Sequence, residues 1–328
     1  MTIDPSFRTM RENPHAGGAP SQAGQEVNVV VGERGTKTLF KLHGLGNDYL
    51  FLDGLGDADP ALPGPVTIRA VSDRHRGFGS DGLIALVPTN VPGADFRMRI
   101  WNADGSEGEM CGNGLRCAVK LFYEHGHRDR SQASCRVETG AGILEVWPIW
   151  QGSRVAACRE ELGRPTLLPL GEVGEPWIEK SVTWQRGESG PVMNHTATAV
   201  SMGNPHLVLF AEERDPVRPD VDQDGPSLER HPLFPERVNV GFAEVLSSDA
   251  VHLAVWERGS GATQACGTGA AACLAAGVIT GRLKRRARVE LPGGILDAEW
   301  PADAGSVYLT GPAEFVGTCL YEENRLPS

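Results

Sequence analysis

The 328-residue chain has no stretch of 18 or more apolar residues, and no basic start runs into an apolar segment, so neither a membrane span nor a secretory leader is expected. Cysteine is scarce. Seven residues at irregular spacing make no disulfide framework, and their odd number leaves at least one thiol unpaired. A reducing, cytoplasmic setting is the expectation. Basic residues are outnumbered, 31 Lys and Arg against 42 Asp and Glu, and the net charge of -11 argues against non-specific nucleic-acid binding, which needs clustered cations. The one basic cluster, RLKRRAR at 282–288, reads as a solvated edge.

Several catalytic signatures are missing as well. There is no G-x-x-x-x-G-K-[ST], no G-x-S-x-G and no C-x-x-C, which removes P-loop, nucleophile-elbow and thioredoxin chemistry. GFGSDG (77–82) and GTGAAA (267–272) have dinucleotide-loop spacing, but neither follows an apolar strand, so no Rossmann site is expected. Cys111, Cys117, Cys266, Cys273 and His206 lack zinc-ligand spacing, and no metal is assigned.

What is present is an ordinary globular composition, 40% hydrophobic and 22% charged, able to bury a core. Because cores stop growing near ~250 residues, the length predicts two domains. Residues 1–36, rich in Gly, Pro, Ala, Ser and Gln, read as a flexible extension with a short strand at VNVVV. Thereafter short apolar pieces such as DYLFLDGL, FRMRIW and VHLAVWE alternate with Gly, Asp and Pro turns, the pattern of many short strands. Two helices stand out, near 114–125 and 269–280. The first is apolar over most of its circumference, with Lys120 the main interruption and Gly126 placed to end it; the second is apolar all round and stops at Gly281.

Both helices follow Cys-Gly-x-Gly, and the likeness extends further. Trp101 lies ten residues before Cys111, and Trp256 ten before Cys266. VETGAGIL (137–144) matches VELPGGIL (289–296) at five of eight positions, and the LGND around Asn47 resembles the MGNPH around Asn204. The offsets are 157, 155 and 152 residues in the same order, the mark of a tandem duplication. Such halves meet across a pseudo-two-fold interface, which aims Cys111 and Cys266 into one cleft from opposite sides.

A thiol at a helix N-terminus sits beside unpaired N–H groups and the positive end of the dipole, a setting that lowers its pKa from about 8.5 into roughly the 3.5–7.5 range. The adjoining amides can also hold a carboxylate. Two thiols across one carbon can remove a proton from one face and return one to the other, which is racemisation without a cofactor. The remaining cysteines, 117, 135, 158, 273 and 319, read as small core hydrophobes.

Together HGLGNDYL (43–50), WNADGSEGEMCGNGLRC (101–117), SMGNPH (201–206), FPERVNVGF (234–242), WERGSGATQACGTGA (256–270) and LPGG (291–294) resemble the diaminopimelate epimerase family from about residue 37 onward. The resemblance implies an α/β (α+β) fold of two pseudo-symmetric domains, each a curved, mostly antiparallel sheet wrapped around a central helix. The expected division is 37–154 with 312–328 for the first domain and 155–311 for the second. It further implies pyridoxal-independent interconversion of LL- and meso-diaminopimelate, serving lysine and cell-wall synthesis, by a cytoplasmic homodimer. In that reading Cys111 and Cys266 are the acid and base, while His206 and Glu257 adjust them. Gly112, Asn113, Gly267 and Thr268 bind the reacting carboxylate, and Asn47, Asn102, Asn204, Asn239, Glu257 and Arg258 recognise the distal end. Two departures stand out: Gly82 where some members carry a substrate-contacting Gln, and Ala262 in place of a common Glu. The rival readings are a proline or hydroxyproline racemase or a phenazine-type isomerase on the same scaffold, and a non-catalytic amino-acid-binding module.

Overall fold

A computed structural model describes residues 36–56, 60–170, 174–187, 189–211 and 218–322. The expected N-terminal extension, with its VNVVV strand, lies outside the described residues except for residue 36, which opens the first strand.

The first half runs β1 (Thr36–Gly44), β2 (Asn47–Asp53), α1 (Pro65–Ser72), β3 (Gly82–Val87), β4 (Phe96–Asn102), β5 (Glu107–Gly108), α2 (Gly112–Glu124), β6 (Cys135–Thr139), β7 (Gly142–Gln151) and β8 (Arg154–Gly163). Two short connecting strands, β9 (Thr166–Leu167) and β10 (Lys180–Gln185), lead into the second. That half runs β11 (Val192–Ser201), β12 (Pro205–Ala211), α3 (Val221–Glu229), β13 (Asn239–Ser247), β14 (Ala250–Glu257), β15 (Gly261–Thr263), α4 (Gly267–Ile279), β16 (Arg286–Leu291), β17 (Gly294–Glu299) and β18 (Val307–Pro312). β19 (Glu314–Glu322) returns to pair with β1.

The order of elements is the same in both halves, and so is the pairing. The parallel pairs are β2 with β3 and β4 with β6 in the first half, matched by β12 with β13 and β14 with β16 in the second. Each is bridged by a helix, as a parallel connection demands. The remaining ladders are antiparallel, and the halves join where β8 pairs with β18.

Each half builds its own core around its second helix. Leu115, Ala118, Val119 and Phe122 of α2 pack with Phe51, Ile84, Met98 and Val137, and β8 adds Val155 and Cys158 to this cluster. Ala270, Ala271, Leu274 and Ala275 of α4 pack with Val208, Val251, Leu253, Leu296 and Leu309. Small residues let neighbours come close to each helix: a Cβ on Gly114 would stand 2.3 Å from Ile84 of β3, and one on Gly277 would stand 2.5 Å from Leu283 in the turn that follows α4.

The halves are also pinned by one turn. Leu45 and Gly46 connect β1 to β2 at φ 57° and 81°, the left-handed pair a two-residue hairpin needs, and only the second is a glycine. Left-handed backbone costs a leucine roughly 1–2 kcal/mol. The side chain offsets this by leaving its own half: Leu45 is buried in the core around α4. Room for the turn comes from LPGG, since a Cβ on Gly293 would lie 2.0 Å from the Leu45 carbonyl oxygen. Gly293→Ala therefore forces backbone apart at the joint, and urea unfolding should show a loss of about 1–3 kcal/mol.

Candidate active site

Cys111 and Cys266 are the N-caps of α2 and α4, both in extended conformation, and each helix is 13 residues long. Each sulfur accepts the N–H of the third helical residue, Gly114 at 3.5 Å and Gly269 at 3.3 Å. The fourth amides, Leu115 and Ala270, close the first turn on the cysteine carbonyls. That leaves the amides of Gly112, Asn113, Gly267 and Thr268, still without intrahelical partners, for an anionic ligand.

The two helix starts meet. The Asn113 side-chain amide donates to the carbonyl of Ala265, the residue before Cys266, at 3.2 Å, and to Asn47 Oδ1 at 3.4 Å. Glu257 hydrogen-bonds Cys266, and its charge is felt at both sulfurs. Its Oε1 also accepts from Thr263 Oγ1 at 2.6 Å, and burial pushes its carboxyl above the usual range.

Around Cys111 the thiol donates to Asn47 Oδ1 at 3.3 Å. Asn47 is turned this way because its Nδ2 donates to Asp81 Oδ2 at 2.6 Å. Asp81 is in turn paired with Arg74 at 2.8 Å, and Arg74 with Asp48 at 2.6 Å. The GFGSDG segment thus orients an active-site amide. Tyr49 hydrogen-bonds the Cys111 sulfur, and burial pushes its phenol far above the ordinary value.

Around Cys266 the corresponding chain runs through His206. Its Nε2 donates to Asn204 Oδ1 at 3.0 Å, Asn204 Nδ2 donates to Thr268 Oγ1 at 3.4 Å, and Thr268 Oγ1 lies 3.6 Å from the sulfur. His206 therefore reaches the thiol through two intermediaries. Burial, with Arg258 nearby, pushes its imidazole down to about 3, so it is neutral near pH 7.

The remaining assigned residues are placed as follows. Asn239, which is buried, donates to Pro205 O at 2.9 Å and accepts the Arg258 backbone N–H at 2.9 Å, bracing the strand ends that carry His206 and Glu257. Arg258 directs Nη1 to Glu236 O at 3.1 Å. Asn102 bonds Ser106 within its own turn and stands opposite Gly82 across the β3–β4 ladder.

The expectation of acidified thiols is corrected by the geometry. Burial pushes both sulfurs above the ordinary cysteine value, outweighing the Gly114 amide and Tyr49 hydroxyl at Cys111. At Cys266 the Glu257 charge adds to burial and outweighs Thr268 and the Gly269 amide. Loss of water acts on the whole thiolate charge, while a helix terminus contributes only a partial charge. Alkylation of Cys111 and Cys266, followed by mass spectrometry, should accelerate about tenfold per pH unit from neutrality to at least about pH 9; a plateau below about pH 7.5 would mean thiols already ionised.

Of the core cysteines, Cys117, Cys135, Cys158 and Cys273 are buried, with Cys117 and Cys273 pushed up to about 12, whereas Cys319 is only half-buried. Gly82 is no open position: a Cβ there would fall 2.0 Å from the Trp101 carbonyl oxygen, so a longer residue requires a different local backbone. Ala262 is exposed on β15, at the edge of β14.

Two residues of the candidate site escaped the sequence reading. Tyr49 follows Asn47 by two positions, as His206 follows Asn204; His206 pairs with Asn239 at the start of β13, and Tyr49 directly precedes the first β2–β3 pair, Leu50 with Leu83, so extending the duplication by two residues finds it. Arg116 is entirely buried inside α2, paired with the equally buried Glu160 and bonded to Asn113 Oδ1. A charge within CGNGLRC signalled it, because such a residue in a wrapped helix needs a partner.

A family model described as diaminopimelate epimerase matches residues 39–165 and 198–316. A diaminopimelate epimerase of Desulforudis audaxviator is 46% identical over 285 residues, covering 84% of this chain and 96% of that protein. One from Desulfitobacterium hafniense is 44% identical over 293 residues, covering 88% and 99%. Among solved structures, a hydroxyproline epimerase from Agrobacterium vitis superposes with a TM-score of 0.56 at 15% identity, covering 88% of this chain and 91% of that one. A phenazine biosynthesis protein from Bacillus anthracis superposes at 0.58 with 16% identity, covering 87% and 99%. These last likenesses establish the fold.

Proposed function

The chain belongs to the diaminopimelate epimerase family, and from that premise we propose that it inverts one α-carbon of 2,6-diaminopimelate, between the LL and meso forms, with Cys111 and Cys266 as the two bases. The observation that carries this reading is the pair of cysteine-capped helix starts joined through Asn113 and sharing Glu257. A carboxylate seated on the amides of 112, 113, 267 and 268 brings its α-carbon between the sulfurs. One cysteine, as thiolate, takes the α-proton; the C–H electron pair passes into the carboxylate as an enediolate-like charge, which the same amides stabilise. The other cysteine, as thiol, gives its proton to the opposite face. The product is the epimer, and the protonation states of the two sulfurs have exchanged. The side chains present supply both acid and base, so the reading needs no pyridoxal cofactor.

Because burial keeps both unliganded sulfurs protonated, one proton must leave before turnover. The Tyr49 hydroxyl at Cys111 and the Thr268 hydroxyl and Gly269 amide at Cys266 favour the charged sulfur; the Glu257 charge opposes it until a substrate ammonium enters to offset that charge. Arg258 and Asn102 are assigned to the distal carboxylate and ammonium, where Arg offers a bidentate match. A homodimer in the cytoplasm, feeding lysine and cell-wall precursors, completes the proposal; seven unpaired cysteines suit a reducing compartment.

The racemase and phenazine-type alternatives share only the fold, at 15% and 16% identity, against 46% for a diaminopimelate epimerase relative. Incubation with LL-diaminopimelate in deuterium oxide tests the assignment. Meso product carrying deuterium at the inverted carbon is expected. Deuterium entering proline or hydroxyproline instead, or no exchange at all, overturns it.

A further inference from the structure

We propose that Asp53, His125 and His127 form a binding site for one divalent transition-metal ion of the zinc class, at the opposite end of α2 from the catalytic thiol. His125 Nδ1 and His127 Nε2 both point at Asp53 Oδ2, each at 2.7 Å, and the three ligand atoms lie within 4.8 Å of one another. Two imidazoles and one carboxylate on a common centre are the donor set of three-ligand zinc sites, with a fourth position left for water. Zinc bonds of about 2.0–2.1 Å place tetrahedral ligands roughly 3.3 Å apart, so each imidazole–carboxylate pair needs to open by only about half an ångström.

The constellation comes from how α2 ends. Gly126, at φ 78°, turns the chain after the C-cap His125; the Gly126 amide bonds Tyr123 O at 3.1 Å and the His127 amide bonds Phe122 O at 3.2 Å. This Schellman turn places the residues on either side of the glycine over the same carboxylate. Asp53 ends β2, and its other oxygen accepts the Leu55 amide at 3.2 Å, which aims Oδ2 at the rings. The rings are themselves held, His125 edge-on to Phe40 at 4.6 Å between centroids and His127 stacked on Phe122 at 5.7 Å. Such support around the ligands is what fixes a metal site. The negative end of the helix dipole adds attraction for a cation. On binding, the metal replaces the two N–H···O contacts, and each neutral imidazole carries its proton on its other nitrogen.

With 13 residues at about 1.5 Å rise, α2 separates this cluster from Cys111 by roughly 20 Å, so the ion takes no part in proton transfer. It clamps the end of β2 to the end of the catalytic helix.

Titration of the full-length protein with zinc and with cobalt tests the site. One equivalent should bind saturably, cobalt should give visible d–d bands without thiolate charge transfer, and zinc should raise the melting temperature. His127→Gln, at the surface, should fold normally, weaken binding at least about tenfold and abolish the thermal shift; Asp53→Asn should do the same. Absence of a saturable site, undiminished affinity in both variants, or a cobalt spectrum with thiolate character, which would place the ion on the cysteines, each overturns the proposal.

Discussion

Cys111→Ala and Cys266→Ala should each cut epimerisation of LL-diaminopimelate by about 10²–10⁴-fold, the contribution of one positioned acid or base. Inversion needs both groups in a single turnover, so either loss removes the whole route. The double variant should accordingly be little slower than either single one, because residues acting as a unit are not additive. Each single variant keeps one thiol facing the α-carbon. That thiol can still remove a proton and return a solvent-derived one to the same face. Deuterium should therefore enter one stereoisomer without inversion in Cys111→Ala and the other stereoisomer in Cys266→Ala, read by mass spectrometry and chiral chromatography. Undiminished turnover in either variant, or the same isomer labelled in both, would contradict two bases on opposite faces.

Arg116→Met should cost about 3–5 kcal/mol in urea unfolding, the penalty for leaving one member of a buried ion pair alone. Arg116 and Glu160 are both 0% exposed, and Oε2 of Glu160 already lacks a partner among the described residues. Burial raises the Glu160 carboxyl above its ordinary value of 4.5, and the arginine holds it down. Without the arginine the folded pKa climbs further. A raised folded pKa favours the native state below the unfolded value and disfavours it as pH rises towards the folded one. The defect of Arg116→Met should therefore grow as pH rises above the ordinary carboxylate range, and a pH-independent loss would show that lost packing dominates. Arg116→Met combined with Glu160→Gln should recover much of the stability, since no charge then remains buried. It should not recover full activity, because Arg116 also holds the Asn113 oxygen while the Asn113 amide reaches across to Ala265.

The contrast between the two halves shows how far the sequence could be read. The offset of 157 residues that links Asn47 to Asn204 also links Tyr49 to His206 and Gly82 to Asn239, and those pairs share no side-chain chemistry. Identity survives at the cysteines and their glycines, where the proposed function asks the same act of both halves. It is lost where each half builds a different wall: a phenol beside one sulfur, and a neutral imidazole acting through Asn204 and Thr268 beside the other. Glu257 is assigned both to the thiols and to the distal end, and the contacts it makes are to Cys266 and Thr263. The triad gathered at the end of α2 escaped because Asp53 lies 72 residues before His125 and carries no ligand spacing.

By itself the sequence determined the duplicated unit, the two cysteine-capped helices, the absence of a long apolar span and the family, because each is written in local spacing and composition that any fold must respect. The tertiary structure decided which partners those local pieces meet: Leu45 in the opposite core, Glu160 against Arg116, Asp81 behind Asn47. It also decided the ionisation of the thiols. Burial is a property of the packed molecule, and here the loss of water around each sulfur outweighs the partial charge of the helix end beneath it.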